Sequence, residues 1–226
     1  MEWQSLVSDM TRIQRMVHLA MRLDSHDVAK LKEIIFAEKR QSYESQLTTL
    51  AKSCGCTKIG RASGAVLKEM KLQSANEAEG IVNTYNRDLV FAIRRISREV
   101  PKANRHTYAK RLRAWDSKRS EWKSLQISLH NIGEWQARAI SDFYKYNDVT
   151  GTAQLLPRSP ASCDICKTWT RRGKVKLSDA AKVMKDWPPH LGCIHSWSIK
   201  LDKANCDDLW VGVEEGDFKE MSDAVE

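Results

Sequence analysis

Cys163-Asp164-Ile165-Cys166 and Pro188-Pro189-His190-Leu191-Gly192-Cys193-Ile194-His195 are the stretches that decide how the C-terminal part of this chain folds. The first carries two cysteines at C-x2-C spacing, and the second adds two histidines and a further cysteine. Zinc binds four such ligands tetrahedrally, and a C-x2-C turn directs two sulfurs at one ion. The spacing therefore predicts a small module that closes around a metal ion.

Five side chains are candidates for the four coordination positions of this ion. We expect Cys163, Cys166, His190 and Cys193 to be the ligands, with His195 either the true fourth ligand or a neighbour that orients one. A four-ligand zinc site leaves no coordination position open, so it stabilises the fold and performs no chemistry.

Two other interpretations of the cysteines stay open. A redox C-x2-C pair normally lies at a helix N-terminus in a βαβ unit, whereas Cys163 follows a proline-containing loop. A disulfide is the other possibility, but we expect a reducing cytoplasm, where the six cysteines serve as ligands or thiols. Cys54-Gly55-Cys56 could contribute to a second metal site, although no nearby histidine or cysteine completes it.

The composition excludes two broad classes of protein. Of the 226 residues, 42% are hydrophobic and 29% are charged, which argues against wholesale disorder. No uncharged apolar run approaches the roughly 20 residues of a membrane helix, and charged residues interrupt the N-terminus where a signal peptide would lie. We therefore expect no membrane partner.

Hydrophobic periodicity predicts a mainly α fold. Long helices are expected over residues 1–22, from a cap at Asp24 or Ser25 to about Leu50, from 76 to just before Pro101, and from about 104, with a stop or kink at Gly133 before a last helical piece over 134–146. Beyond Gly151, prolines and glycines break the chain into short elements. Residues 173–177 and 196–199 are predicted strand partners, separated by a helix over 178–186 that Ser178 caps.

These elements predict three parts of the chain. Residues 1–150 form a long-helix N-terminal domain, residues 151–205 form a small zinc-knuckle α+β module, and residues 206–226 form an acidic tail.

The net charge of +8 is concentrated in one stretch. Twelve basic residues face four acidic ones between residues 87 and 123. Such a face is typical of a site for a polyanion or an acidic protein, although a solvated helix face without a partner is equally compatible with the pattern. The candidate contact residues are Arg94, Arg95, Arg98, Arg111 and Arg113.

The C-terminal pattern over roughly residues 130–200 resembles the phage head morphogenesis family, the minor head proteins similar to phage Mu protein F. Those proteins end in an Arg- and Ala-rich helix, a turn, C-x2-C, a Gly-containing hairpin and a Pro-Pro-x-His-x2-Cys-x-Cys box. The matching residues here are Arg138, Ala139, Asn147, Gly151, Cys163, Cys166, Gly173, Pro188, Pro189, His190 and Cys193. The chain departs from the box in two places, because His190 follows Pro189 directly and His195 stands at the usual last cysteine.

The resemblance implies a structural protein of the virion, assembled in the host cytoplasm, that acts in head assembly or DNA packaging. Its partners would be the portal or the major capsid protein, with nonspecific contacts to packaged DNA as a further possibility. It implies no active site and no small-molecule substrate.

Two alternatives belong to other classes of protein. An HNH-like nuclease would use His195 as the base that activates water, in addition to a structural zinc. A zinc-dependent DNA-binding regulator would present a reading helix, but residues 178–186 offer only Lys182 and Lys185, which suit phosphate contacts better than base edges.

Overall fold

The computed structural model describes residues 28–100, 105–156, 163–189, 193, 195–202 and 204–212. The helix predicted over residues 1–22, the ligand candidate His190 and residues 213–226 of the acidic tail lie outside this part of the chain. No helix in the described ranges combines the length and apolar character needed to traverse a bilayer.

Three long helices make up most of the described chain, so the expected mainly α fold is confirmed. These are α1 (Val28–Ser53), α2 (Gly64–Glu99) and α3 (Arg105–Tyr146). Helix α3 does not stop at Gly133, because it continues through this residue to Tyr146. A helical glycine costs only about 1 kcal/mol relative to alanine, and the buried neighbours Ile132 and Trp135 supply packing that outweighs this cost.

Helix α2 begins at Gly64, twelve residues before the predicted start at Asn76. Ser63 precedes it, and its Oγ accepts a hydrogen bond from the Val66 amide at 3.4 Å. Ser63 is therefore the N-cap that the sequence prediction overlooked.

The strands form a three-stranded antiparallel sheet in the order β2-β1-β3. They are β1 (Gly151–Leu156), β2 (Lys174–Lys176) and β3 (Ser196–Leu201). The predicted direct pairing of residues 173–177 with 196–199 is wrong, because β1 lies between these strands. Strand β1 buries Ala153 and Leu155 in alternation, and this short pattern was not recognised in the sequence.

Two short helices accompany the sheet, α4 (Asp164–Arg172) and α5 (Leu177–Met184). Helix α4 was not predicted. Helix α5 matches the expected helix but starts one residue early, with Lys176 at its N-cap and no side-chain capping bond, so the predicted cap at Ser178 is wrong. Leu177, Ala180 and Met184 on one face of α5 are buried.

The chain divides into two compact units. Within the described part, the first unit contains residues 37–70 and 129–212, and the second contains residues 28–36, 71–100 and 105–128. The domain boundaries expected at residues 150 and 205 stay predictions.

The core of the first unit is built around two large side chains that are almost fully buried, Tyr43 and Trp135. Their rings meet edge to face with centroids 6.0 Å apart, and the Tyr43 hydroxyl donates a hydrogen bond to Asp142 Oδ2 at 2.9 Å. Arg138 holds the same carboxylate through its Nε at 3.0 Å. Burial and the Asp142 carboxylate raise the pKa of Tyr43, so its hydroxyl stays protonated and continues to donate.

The same unit contains a disulfide between Cys56 and Cys206, 150 positions apart. This corrects the expectation that the cysteines serve as ligands or thiols, and it removes Cys56 from any second metal site. A backbone hydrogen bond joins the same two segments a few residues further on, because the Arg61 amide donates to Val211 O at 2.9 Å. Gly212 follows with φ +115°, and a Cβ there would clash with the Arg61 carbonyl, so only glycine fits this approach.

In the second unit, α2 and α3 pack antiparallel. The Tyr85 hydroxyl donates to Asp116 at 2.8 Å, and Arg119 holds Asp88 at 2.7 Å. Nearer the C-terminal end of α2, Glu99 pairs with Arg111 at 3.3 Å. The side of α2 that includes Ala92 and Ile96 is buried, which leaves the opposite side facing solvent.

Candidate metal centre

Three of the predicted ligands converge in the first unit. The sulfur atoms of Cys166 and Cys193 lie 3.5 Å apart, and the Cys193 sulfur lies 3.6 Å from Nδ1 of His195. The ligand atoms of all three residues are within 4.8 Å of one another. The structure therefore contains a buried Cys/Cys/His cluster that could hold a metal ion.

The local fold brings these residues together from two directions. Cys166 lies in the first turn of α4, while Cys193 and His195 occupy the segment that leads into β3. Strand β1 pairs with β3 along its full length, from Gly151 with Leu201 to Leu156 with Ser196. This register fixes the start of β3 and thereby the position of His195.

Cys163 is the N-cap of α4. Its φ and ψ of −66° and 166° are extended, and its sulfur accepts a hydrogen bond from the Cys166 amide at 3.4 Å. The spacing of C-x2-C is the spacing of an N-cap and its N3 residue, so one turn of helix turns both sulfurs to the same side. An amide donor favours the thiolate form of a cysteine, which is the form that binds metal.

The electrostatics of the cluster are those of closely packed neutral thiols. Burial raises the pKa of Cys166, and contacts with the sulfurs of Cys163 and Cys193 raise it further. Burial also raises the pKa of Cys193. A divalent cation reverses this balance, because its charge compensates the thiolates that burial alone disfavours.

Two distances within the cluster fit a tetrahedral ion, and the separation of the two sulfurs does not fit a disulfide. With zinc–sulfur bonds of about 2.3 Å, the edge between two sulfurs of a tetrahedron is about 3.8 Å, and an edge between sulfur and nitrogen is slightly shorter. The observed separations of 3.5 and 3.6 Å are close to these edges. A disulfide would require sulfurs about 2.05 Å apart.

Aromatic rings surround one side of the cluster. His195 borders a small cavity together with Gln46, Trp187 and Trp197. The rings of Trp187 and Trp197 meet with centroids 5.3 Å apart, and Trp169 contacts Trp197 at 5.5 Å. His195 itself is only 5% exposed. Trp197 lies two positions from His195 in the sequence, whereas Trp187 reaches the same cavity only in the folded chain.

The predicted site residues thus divide into three groups. Cys166, Cys193 and His195 are together, Cys163 adjoins Cys166, and His190 lies outside the described residues. The predicted basic residues belong to the second unit, on α2 and α3, where all five are exposed. Of these, Arg95 pairs with Glu99 at 3.6 Å and Arg111 with the same carboxylate at 3.3 Å.

Fold and site define a mainly helical protein with a small antiparallel sheet and a buried cluster of cysteine and histidine suited to a metal ion. Comparisons of the chain with models of protein families, with curated proteins and with solved structures found no match.

Proposed function

We propose that this protein is a structural component with a closed zinc site and no catalytic activity. The observation that supports this most directly is the pair of distances from the Cys193 sulfur to the Cys166 sulfur and to His195 Nδ1, both of which are close to the edges of a zinc tetrahedron. The adjoining Cys163 supplies the fourth donor in this proposal. Such an ion cross-links α4 to the segment before β3 and stabilises the small sheet.

The proposed ligand set differs from the first sequence-based choice in its histidine. His195 is buried and its Nδ1 lies 3.6 Å from the Cys193 sulfur, while His190 lies outside the described residues. A His195 bound to the ion is also unavailable as a general base, which argues against the HNH-like nuclease. A sequence-reading regulator has little support, since Lys182 and Lys185 on and after α5 lie beside Asp179 and Asp186.

Metal analysis of protein purified without added zinc tests the site. We expect one zinc per chain in the parent protein and in Cys54→Ser, and a loss of the metal in Cys166→Ser. Cys54 is the matched control because it is also a buried free cysteine but lies outside the cluster. Retention of stoichiometric zinc by Cys166→Ser would contradict the proposed site.

Cobalt substitution distinguishes whether His195 or His190 is the metal ligand. In the Co²⁺-loaded protein, the absorption bands report the number of sulfur and nitrogen ligands. His195→Ala should change these bands and weaken binding at least tenfold, and His190→Ala should leave both unchanged. The opposite result would restore His190 as the ligand.

For the biological setting, we propose a minor head protein of a phage that acts in head assembly or DNA packaging and contacts the portal or the major capsid protein. The support is the resemblance over residues 130–200 together with the buried Cys/Cys/His cluster, which Cys163 closes in this proposal. The test is mass spectrometry of purified phage particles and of head precursors, with a count of copies per particle. Absence from both kinds of particle would contradict this role, even if the zinc site is real.

A nuclease assay tests the alternative function of an HNH-like nuclease. The zinc-loaded protein should not cleave DNA in the presence of Mg²⁺. Cleavage that His195→Ala abolishes while zinc is retained would instead favour the HNH-like activity.

A further inference from the structure

A second candidate site lies on the exposed side of α2 in the second unit. Four residues, Arg87, Phe91, Arg94 and Arg98, recur at steps of four, three and four positions. At about 100° per residue they share an arc of roughly 60° on the helix surface. This arc, which we call the α2 arginine face, lies on the other side of the helix from the buried Ala92 and Ile96.

The charges on this face are less neutralised than those of Arg95, Arg111 and Arg119 in the same unit. Arg119 is only 10% exposed and is held by Asp88 at 2.7 Å, and Arg95 and Arg111 share Glu99. Arg94 and Arg98 are exposed and form no ion pair with any described carboxylate. Arg87 is 68% exposed and has Asp88 no nearer than 3.9 Å. The face therefore presents three cations to solvent.

Phe91 lies among these cations and is 60% exposed. An aromatic ring of this exposure contributes nothing to the core of the unit. An exposed ring flanked by guanidinium groups is the combination that holds single-stranded nucleic acid, because the cations contact phosphates and the ring stacks on a base. Guanidinium donors also match phosphate oxygens in pairs.

The dimensions of the face suit a short segment of strand. Arg94 and Arg98 are one helical turn apart, about 6 Å along the axis at 1.5 Å per residue, and the distance from Arg87 to Arg98 is about 16 Å. The face can therefore contact a few successive phosphates. A duplex would present its phosphates to the arginines but would keep its bases stacked away from Phe91.

We propose that the α2 arginine face binds single-stranded nucleic acid without sequence preference, through phosphate contacts of Arg87, Arg94 and Arg98 and stacking of one base on Phe91. This site is independent of the metal centre and of the role in phage heads. It uses other residues in the other compact unit.

The experiment measures binding of the full chain to a fluorescent single-stranded oligonucleotide of mixed sequence, by anisotropy, across a range of salt concentrations. Arg94→Gln/Arg98→Gln should weaken binding on the order of tenfold. It should also make the slope of log affinity against log salt shallower by about 1.4, the value for two lost phosphate contacts on a single strand.

Phe91 provides a separate readout. Phe91→Ala should weaken binding about tenfold without changing the salt slope, because stacking releases no counterions. Phe91→Trp should restore the affinity. Phe91, Arg94 and Arg98 are all exposed. A circular dichroism spectrum identical to that of the parent verifies that each variant is folded.

The matched control is Arg171→Gln/Lys174→Gln, which removes two exposed charges from the first unit and changes the net charge by the same amount. We expect it to bind like the parent protein. An equal loss in both double variants would overturn the proposal in favour of net charge alone. Poly-glutamate could also bind as tightly as the oligonucleotide and depend equally on Arg94 and Arg98. This result would overturn the proposal and indicate that the partner of the face is an acidic protein.

Discussion

The hydroxyl of Tyr43 on α1 donates a hydrogen bond to Oδ2 of Asp142 on α3, 2.9 Å away and 99 positions along the chain. Tyr43 is fully buried, and Arg138 binds the same carboxylate from within α3. The Asp142 side chain is only 11% exposed, so it depends mainly on donors inside the protein. The bond thus links two long helices at a single buried position.

Tyr43→Phe should lower the free energy of unfolding by about 2 kcal/mol, because a buried carboxylate loses one of its donors. Urea denaturation followed by circular dichroism measures this change. The control is Tyr146→Phe, which also removes one hydroxyl, but from a residue that is 52% exposed and accepts from Lys145 near the surface. An equal loss of unfolding free energy in both variants would show that the hydrogen bond to Asp142 contributes no more to stability than a surface hydroxyl.

Arg119→Leu should destabilise the second unit by about 2 kcal/mol or more. Its guanidinium is nearly buried, holds Asp88 at 2.7 Å and lies 5.0 Å from the centre of the Tyr85 ring. Removal of one partner leaves the other charge poorly compensated. Arg95→Leu is the matched control, since the pair of Arg95 with Glu99 is exposed and should contribute less than about 0.5 kcal/mol. Thermal melts of both variants test the contrast, and similar melting temperatures would contradict it.

Tyr85 should ionise at a higher pH than an ordinary tyrosine. Burial, and then its hydrogen bond to Asp116, raise the pKa of Tyr85 to about 12 from the ordinary value of 10.0. The folded chain keeps this phenol protonated where the unfolded chain ionises it, so protonation favours folding. The stabilising contribution is therefore complete below pH 10 and is lost as the pH rises to about 12.

The absorbance of tyrosinate at high pH measures this titration. Tyr85→Phe should remove the ionisation near pH 12, and Asp116→Asn should move it towards pH 10. An unchanged curve for Asp116→Asn would exclude Asp116 as a cause of the shift.

Thiol counting in denaturant should give four free thiols before reduction and six afterwards, because Cys56 and Cys206 are joined while Cys54, Cys163, Cys166 and Cys193 are free. Cys206→Ser should lower the stability of the oxidised protein by up to about 5 kcal/mol, the chain-entropy value for a loop of this size. The parent protein kept in reductant should resemble this variant. Six free thiols in protein isolated without reductant would contradict the disulfide.

The presence of the long helices could be predicted because their signals are local, although the start of α2 was placed twelve residues too late. The apolar periodicity of α1, α2 and α3 is contained in each segment. Helix α3 nevertheless continues through Gly133, because burial of Ile132 and Trp135 outweighs the weak helix propensity of one glycine. The order of the strands was not predictable in this way. Strand β1 is six residues long, and its place between β2 and β3 follows from contacts that are distant in sequence.

The sequence alone determined the ligand chemistry, since the C-x2-C spacing requires only one turn of helix to turn two sulfurs to the same side. Tertiary structure decided which distant groups meet them. The pairing of β1 with β3 and the placement of α4 bring Cys193 and its neighbour His195 to Cys166, and packing in the first unit joins Cys56 to Cys206 across 150 positions. The reason is physical: a spacing motif encodes the geometry of a few neighbouring bonds, whereas a contact between remote residues depends on how the whole unit buries its apolar surface.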